Sequence, residues 1–209
     1  MSRRLGRPSN SDAVDTRRRI LREARLAFTT RGFDNTTNRE ISAGAGITAA
    51  AIYHYFPSKV ELFVAVYDDV QMKVYGAFEA AVAQRETFLE KFDAIFDTML
   101  ELGDEDSMLA SFVVGVVTEA EHHPDLAEAL KKVAPRNNTF LTSLCIEAQS
   151  RRELPESLRV QVAVDVMAGV IGGFARLSVT VRDRQRLRSV ANVYKNMARN
   201  SLSRAAVGA

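Results

Sequence analysis

Thr36-Thr37-Asn38-Arg39-Glu40-Ile41-Ser42-Ala43-Gly44-Ala45-Gly46-Ile47-Thr48-Ala49-Ala50-Ala51-Ile52-Tyr53-His54-Tyr55-Phe56-Pro57-Ser58-Lys59 is the most informative run in this chain. Thr37 can cap a helix, and Glu40 three residues later completes a capping box, the reciprocal pairing that satisfies two orphan amides. Gly44-Ala45-Gly46 stops that helix. Small residues at Ala43 and Ala45 let two helices approach, and Gly44 and Gly46 permit a sharp turn. Thr48 caps a second short helix running to about Tyr55. Pro57 stops the chain again, and Ser58 with Glu61 offers another capping box. Ile41, Ile47, Ile52 and Phe56 read as the inward face. Thr48, Ala49, Ala50, Tyr53 and His54 are left outward, the face that a DNA major groove would meet in a helix-turn-helix. A plain helical hairpin buried in a core would not expose Tyr53 beside His54 and Lys59.

Toward the N-terminus, Ile20, Leu21, Ala24, Ala27 and Phe28 recur at spacings of three and four. They predict a helix over 13–31, ended by Gly32 in the left-handed conformation that suits a residue without Cβ. Residues 1–12 are polar and read as a basic arm. Residues 1–56 carry 10 Lys/Arg against 5 Asp/Glu, whereas 57–209 carry 18 against 21. A basic head on a mildly acidic body fits a head that meets a polyanion.

Toward the C-terminus, helical periodicity predicts long helices over 58–82, 86–102, 105–122, 124–150, 156–182 and 184–204, with breaks at Gly103-Asp104, His123-Pro124, Leu154-Pro155 and Arg182-Asp183. No segment alternates with period two long enough to make a strand. The expected fold is all-α with about nine helices: a flexible basic arm (1–12), a three-helix DNA-binding domain with a helix-turn-helix (13–57), and a larger helical ligand-binding and dimerisation domain (58–209).

Other classes fit poorly. The single Cys145 gives no intrachain disulfide framework and fits a reducing compartment. The N-terminal arginines precede no apolar run, so no secretory signal is read, and the uncharged apolar stretch Val166 to Ala175 is about half the ~20 residues that span a bilayer. A soluble, cytoplasmic protein without a membrane partner is expected. Glu119, Glu121, His122, His123 and Asp125 look like metal ligands in composition, but adjacent histidines at a helix end point in different directions. No metal, cofactor or catalytic residue is expected: the three histidines have no partners by spacing, and there is no Gly-rich phosphate loop.

The run Thr37…Ile41…Gly46-Ile47-Thr48…Ile52-Tyr53-His54-Tyr55-Phe56-Pro57-Ser58-Lys59…Leu62-Phe63 resembles the signature of the TetR family of transcriptional regulators, over roughly residues 13–66. The resemblance implies that Thr37 binds phosphate and that Arg39 reaches a guanine edge. Thr48 and Ala49 would lie against base edges, with Ala50 beside them on the same face. Tyr53 would touch a thymine methyl or a phosphate, and Tyr55, Lys59 and His54 would hold phosphates. The chain departs from the family at Ala49-Ala50-Ala51, where polar residues are usual, so apolar contact and DNA shape must carry more of the reading. Arg3-Arg4-Leu5-Gly6-Arg7-Pro8 resembles a minor-groove hook, with Arg7 in the groove; a solvated tail is the alternative.

In the body, Phe88, Phe92, Phe96 and Met99 share a stripe, as do Met108, Phe112 and Val116, with Phe140 and Leu144 on the next helix. Each fits core packing singly. Together with Met167 and Phe174 they form the expected lining of a pocket for an apolar or amphipathic effector. Met167, Ala168, Ile171, Gly172 and Ala175, with Val190, Val193, Tyr194 and Met197, are the expected dimer face, since the family pairs through its last two helices. The resulting reading is a homodimeric regulator on a palindromic DNA operator, released as a repressor by a small molecule; an activator, or a regulator without a ligand, is the alternative.

Overall fold

The computed structural model describes residues 10–133 and 135–207, with side chains for 12–133 and 138–201. The described residues form ten α-helices and no strand: α1 Asn10–Arg31, α2 Asn38–Gly44, α3 Ala49–Tyr55, α4 Lys59–Val82, α5 Phe88–Glu105, α6 Met108–His122, α7 Pro124–Lys131, α8 Pro135–Ser150, α9 Val160–Thr180 and α10 Arg184–Val207. The all-α expectation holds, but the helix expected over 124–150 is two. Pro135 opens α8, because a proline has no N–H for the helical ladder and its ring collides with the carbonyl four residues back. Conversely, α5 runs through Gly103-Asp104 and breaks at Asp106, whose Oδ1 accepts the Met108 N–H at 3.1 Å at the start of α6. A glycine alone weakens a helix without stopping it.

Two buried clusters hold the chain together. In the first, Ile20, Ala24 and Phe28 of α1 meet Ile41, Ile52, Phe56 and Phe63, joined by Leu109 and Phe112 of α6 and Leu126 of α7. Ile20, Leu21, Ala24, Ala27 and Phe28 are all buried, as their spacing predicts. The second cluster gathers Phe78 of α4, Phe92, Ile95 and Phe96 of α5, Leu141 and Leu144 of α8, Met167 and Phe174 of α9 and Ala191 of α10. α4 contributes to both and is the axis that links them.

Among the described residues α9 is the one helix long and apolar enough to cross a membrane. Its inner face is committed elsewhere: Ala163, Val164, Met167, Ile171 and Phe174 are buried in this chain, and the Phe174 ring meets Phe96 edge-on at 5.1 Å.

Candidate functional site

α2 and α3 are fixed by local hydrogen bonds. Thr37 Oγ1 accepts the Glu40 N–H at 3.3 Å while Glu40 Oε2 accepts the Thr37 N–H at 3.1 Å, the reciprocal box. The Thr37 hydroxyl also donates to that carboxylate, at 3.0 Å, so a phosphate at Thr37 would compete with Glu40. Backbone and side-chain hydrogen bonds from Thr37 hold the Glu40 carboxyl below its usual range. Thr48 Oγ1 accepts the Ala51 N–H at 3.1 Å and caps α3. Between the helices Gly46 has φ +68, a conformation that only glycine adopts freely. Gly44 serves a different need: a Cβ there would lie 2.8 Å from Glu23 Oε2 of α1. Ala45 is buried, whereas Ala43 is exposed and takes no part in the close approach.

Thr48, Ala49, Ala50, Tyr53 and His54 form one exposed surface on α3, with Ile52 fully buried behind it. Thr37 and Arg39 on the flank are also exposed, and Tyr55 is half-buried against the first core. Arg7 lies outside the described residues.

Lys59 departs from its expected role. Its ammonium donates to the carbonyl oxygens of Phe33 at 2.8 Å, Thr36 at 3.2 Å and Asp34 at 3.4 Å, and sits 4.3 Å from the Phe33 ring centroid. The α1–α2 turn leaves these carbonyls without helical partners, and a cation at the start of α4 satisfies them together. In this structure Lys59 thus ties the start of α4 to the α1–α2 turn.

A second junction ties the same turn to α6. Glu119 Oε1 accepts the Phe33 N–H at 2.9 Å, and His123 stands 3.5 Å from both Glu119 and Asp34, its ring 4.9 Å from that of Phe33. Gly32, at φ +77, makes room: a Cβ there would lie 3.0 Å from Glu119 Oε1. His122 turns away and its Nδ1 lies 2.7 Å from the Thr118 carbonyl oxygen, so the two histidines do separate work. Arg25 of α1 also pairs with Asp106 at 2.5 Å. Burial works to raise the Asp106 carboxyl, but the Arg25 hydrogen bond and charge and the Met108 N–H outweigh it and hold it below its usual value.

Inside the body, a cavity of about 280 Å³ opens between α4, α5, α6, α8 and α9. Of the expected pocket residues, Met99, Val116 and Phe174 line it. The others go elsewhere. Phe88, Phe92, Phe96 and Met167 fill the second core, Phe96 stacking on Tyr194 at 5.5 Å. Phe112 packs on Phe63 at 5.3 Å in the first core, Met108 is half-buried outside the cavity, and Phe140 and Leu144 line a separate open groove with Lys91 and Glu147. A shared stripe shows that a face is buried, not whether its partner is a neighbouring helix or a void. Four polar residues that line the cavity were missed: Ser178 of α9, and Tyr67, Gln71 and Tyr75 of α4, whose spacing of four on one helix face is a readable signal.

The expected dimer face is divided. Met167 and Ile171 turn into the core, Tyr194 stacks on Phe96, and Val190 and Ala175 are half-buried. Ala168, Gly172 and Ala175 line the cavity. Val193 and Met197 of α10 are exposed, and so is Val166 on the outer side of α9 with Gly169 and Gly173. Of the arginines near the start of α10, Arg184 and Arg188 pair with Asp104 of α5.

A short capped helix, a glycine turn and an exposed α3 face backed by a buried core define a helix-turn-helix DNA-binding protein. Residues 20–66 match the sequence model of bacterial regulatory proteins of the tetR family. That segment of the chain carries the DNA-binding region of the TetR family of transcriptional regulators. The chain is 24% identical over 165 residues to the HTH-type transcriptional regulator UidR of Escherichia coli K12, spanning 77% of this chain and 82% of that one. It is 26% identical over 189 residues to the HTH-type transcriptional repressor Rv1474c of Mycobacterium tuberculosis, spanning 88% and 94%. Its fold is similar to that of the transcriptional regulator FadR of Bacillus subtilis, solved in complex with stearoyl-CoA, with a TM-score of 0.76 at 18% identity over 87% of this chain and 96% of that one.

Proposed function

We propose that this regulator is a homodimeric repressor whose grip on a palindromic operator is released by a small molecule held in the body. The observation that carries the reading is that the cavity wall and the DNA-binding head share one helix. α4 begins at Lys59, locked to the α1–α2 turn, and two turns later lines the cavity with Tyr67, Gln71 and Tyr75. A molecule that shifts α4 therefore shifts the head, and ligand and DNA oppose each other through one element. Relatives named as repressors and a structural neighbour solved with a bound small molecule support the same reading.

In this reading Thr48, Ala49, Ala50, Tyr53 and His54 face the major groove, Thr37, Arg39 and Tyr55 serve the DNA backbone or a flanking base, and the cytoplasm is the place of action. The head (13–57) and the body (58–209) are two functional parts sharing one core. An activator remains the alternative, and only the sign of regulation separates the two.

Genomic fragments in a mobility-shift assay at low salt test the proposal. The purified protein is expected to select fragments with two half-sites about one helical turn, ~34 Å, apart. Tyr53→Ala, at a position 54% exposed, should weaken that binding by about tenfold with the melting temperature little changed. A protein that selects no fragment, or a Tyr53→Ala variant that binds like the parent, overturns the proposed head.

A further inference from the structure

We infer that the cavity is built for an uncharged molecule: a largely apolar skeleton bearing one hydroxyl, phenol or carbonyl oxygen, which α4 reads through Tyr67, Gln71 and Tyr75. This rests on the reading of the cavity as the effector site and narrows it to a chemical class.

The lining carries the inference. None of its residues is Asp, Glu, Lys, Arg or His. The Arg184 guanidinium lies behind Gly103 on the wall, where its Nη2 donates to the Leu100 carbonyl oxygen at 3.0 Å and pairs with Asp104, so a carboxylate already offsets its charge. An anion entering here would lose its water without meeting a cation, which costs far more than burying a neutral oxygen that finds a hydrogen bond. Apart from the Ser178 hydroxyl of α9, the polar side chains of the lining form one stripe on α4. Tyr67, Gln71 and Tyr75 follow each other at spacings of four on α4, with Gln71 and Tyr75 each only 8% exposed. The Gln71 side chain, one turn on, works to lower the Tyr67 phenol against the larger effect of burial. Across the cavity, α6 and α9 offer Val113, Val116 and Ile171, and the Ser178 hydroxyl has already given its proton to the Ala175 carbonyl oxygen at 2.7 Å. Burial pushes the Tyr75 phenol up to about 12 and also raises that of Tyr67, so both stay neutral donors at physiological pH. A volume of about 280 Å³ holds on the order of ten to fifteen heavy atoms at native packing density.

Calorimetric titration of the full chain at pH 7 with 2-naphthol, naphthalene and 2-naphthoate tests this. The three share a skeleton and differ in carrying a hydroxyl, no polar group or an anion. 2-Naphthol is expected to bind tightest, with 2-naphthoate weaker by about tenfold or more. Gln71→Leu and Tyr75→Phe should bring 2-naphthol to within about twofold of naphthalene and leave naphthalene itself unchanged. Tyr75→Phe, which removes a single hydroxyl, carries the test if Gln71→Leu fails to fold by circular dichroism. If 2-naphthoate binds as well as 2-naphthol, the uncharged class is overturned while the cavity reading stands. If 2-naphthol stays tightest in both variants, the α4 stripe is not the reader. If no probe binds, or if one binds and Ala110→Phe, which fills the space from α6, leaves its titration unaltered, the effector site lies elsewhere and the chemical class falls with it. Operator release is not the readout, so a regulator that binds these probes without leaving DNA is told apart from one with no such site.

Discussion

Lys59 stands where a resemblance to DNA-binding relatives implies a phosphate anchor, yet its three donor hydrogens meet three carbonyl oxygens of its own chain. The number of carbonyl acceptors in reach sets the expectation, because a half-buried ammonium already bonded three times offers little to a ligand. Lys59→Met should therefore destabilise folding by about 1–3 kcal/mol, the cost of leaving those carbonyls and the turn unsupported. The slope of log affinity against log salt should stay within about 0.3 of the parent, since each phosphate contact contributes about 0.9. Thermal melting and salt-dependent DNA titration check both halves; a flattened slope with an unaltered melting temperature would return Lys59 to the phosphate. The two left-handed glycines obey similar local logic. Gly46 turns the chain between α2 and α3, and Gly32 both ends α1 and admits the Glu119 carboxylate.

Among the helices, α4 and α6 grip the head from two sides. α4 does so through Lys59, and α6 through Glu119 on the Phe33 amide and His123 against Phe33 and Asp34. Both helices also line the cavity. A displacement of either helix would pull on the α1–α2 turn, and through it on α3. Glu119→Gln keeps the shape and part of the hydrogen bond, whereas Glu119→Ala removes the grip. The alanine variant should bind effector as the parent does, while the ratio of operator affinities without and with effector shrinks by about three- to tenfold, the range for residues that modulate coupling. Glutamine should restore much of that ratio. An unchanged ratio in Glu119→Ala would leave α4 as the sole transmitter.

At the level of the assembled protein, the outer side of α9 and α10 carries Val166, Val193 and Met197, each more than half exposed, with Gly169 and Gly173 between helical turns. Small residues allow a partner helix close, and the apolar side chains gain from being covered, which is the pattern of a four-helix interface between two copies. Val193→Asp combined with Met197→Asp is expected to yield a monomer by analytical ultracentrifugation, with the fold intact, since both residues point away from the core. Operator affinity should fall by about a hundredfold or more when the two heads no longer bind as a unit. A double variant that sediments as a dimer would place the interface on another surface.

The helix-turn-helix was legible because nearly everything that makes it is local. The Thr37–Glu40 box, the Thr48 cap and the Gly46 turn each depend on residues within a few positions of one another. The inward spacing of Ile20, Ala24 and Phe28 tells which side of α1 is buried. The body was legible only in outline. Periodicity shows that Phe92, Phe96 and Phe174 face inward, but their meeting each other and Tyr194 instead of a ligand follows from how α5, α9 and α10 cross. The break at Pro135 was written in the chain, whereas the partners of Lys59 and Glu119 come from turns and helices that pack together only in the folded protein. The cavity is the extreme case. A void is a set of contacts that distant helices fail to make, so the spacing of Tyr67, Gln71 and Tyr75 marks a polar stripe but not the space it faces, which the packing of five helices creates.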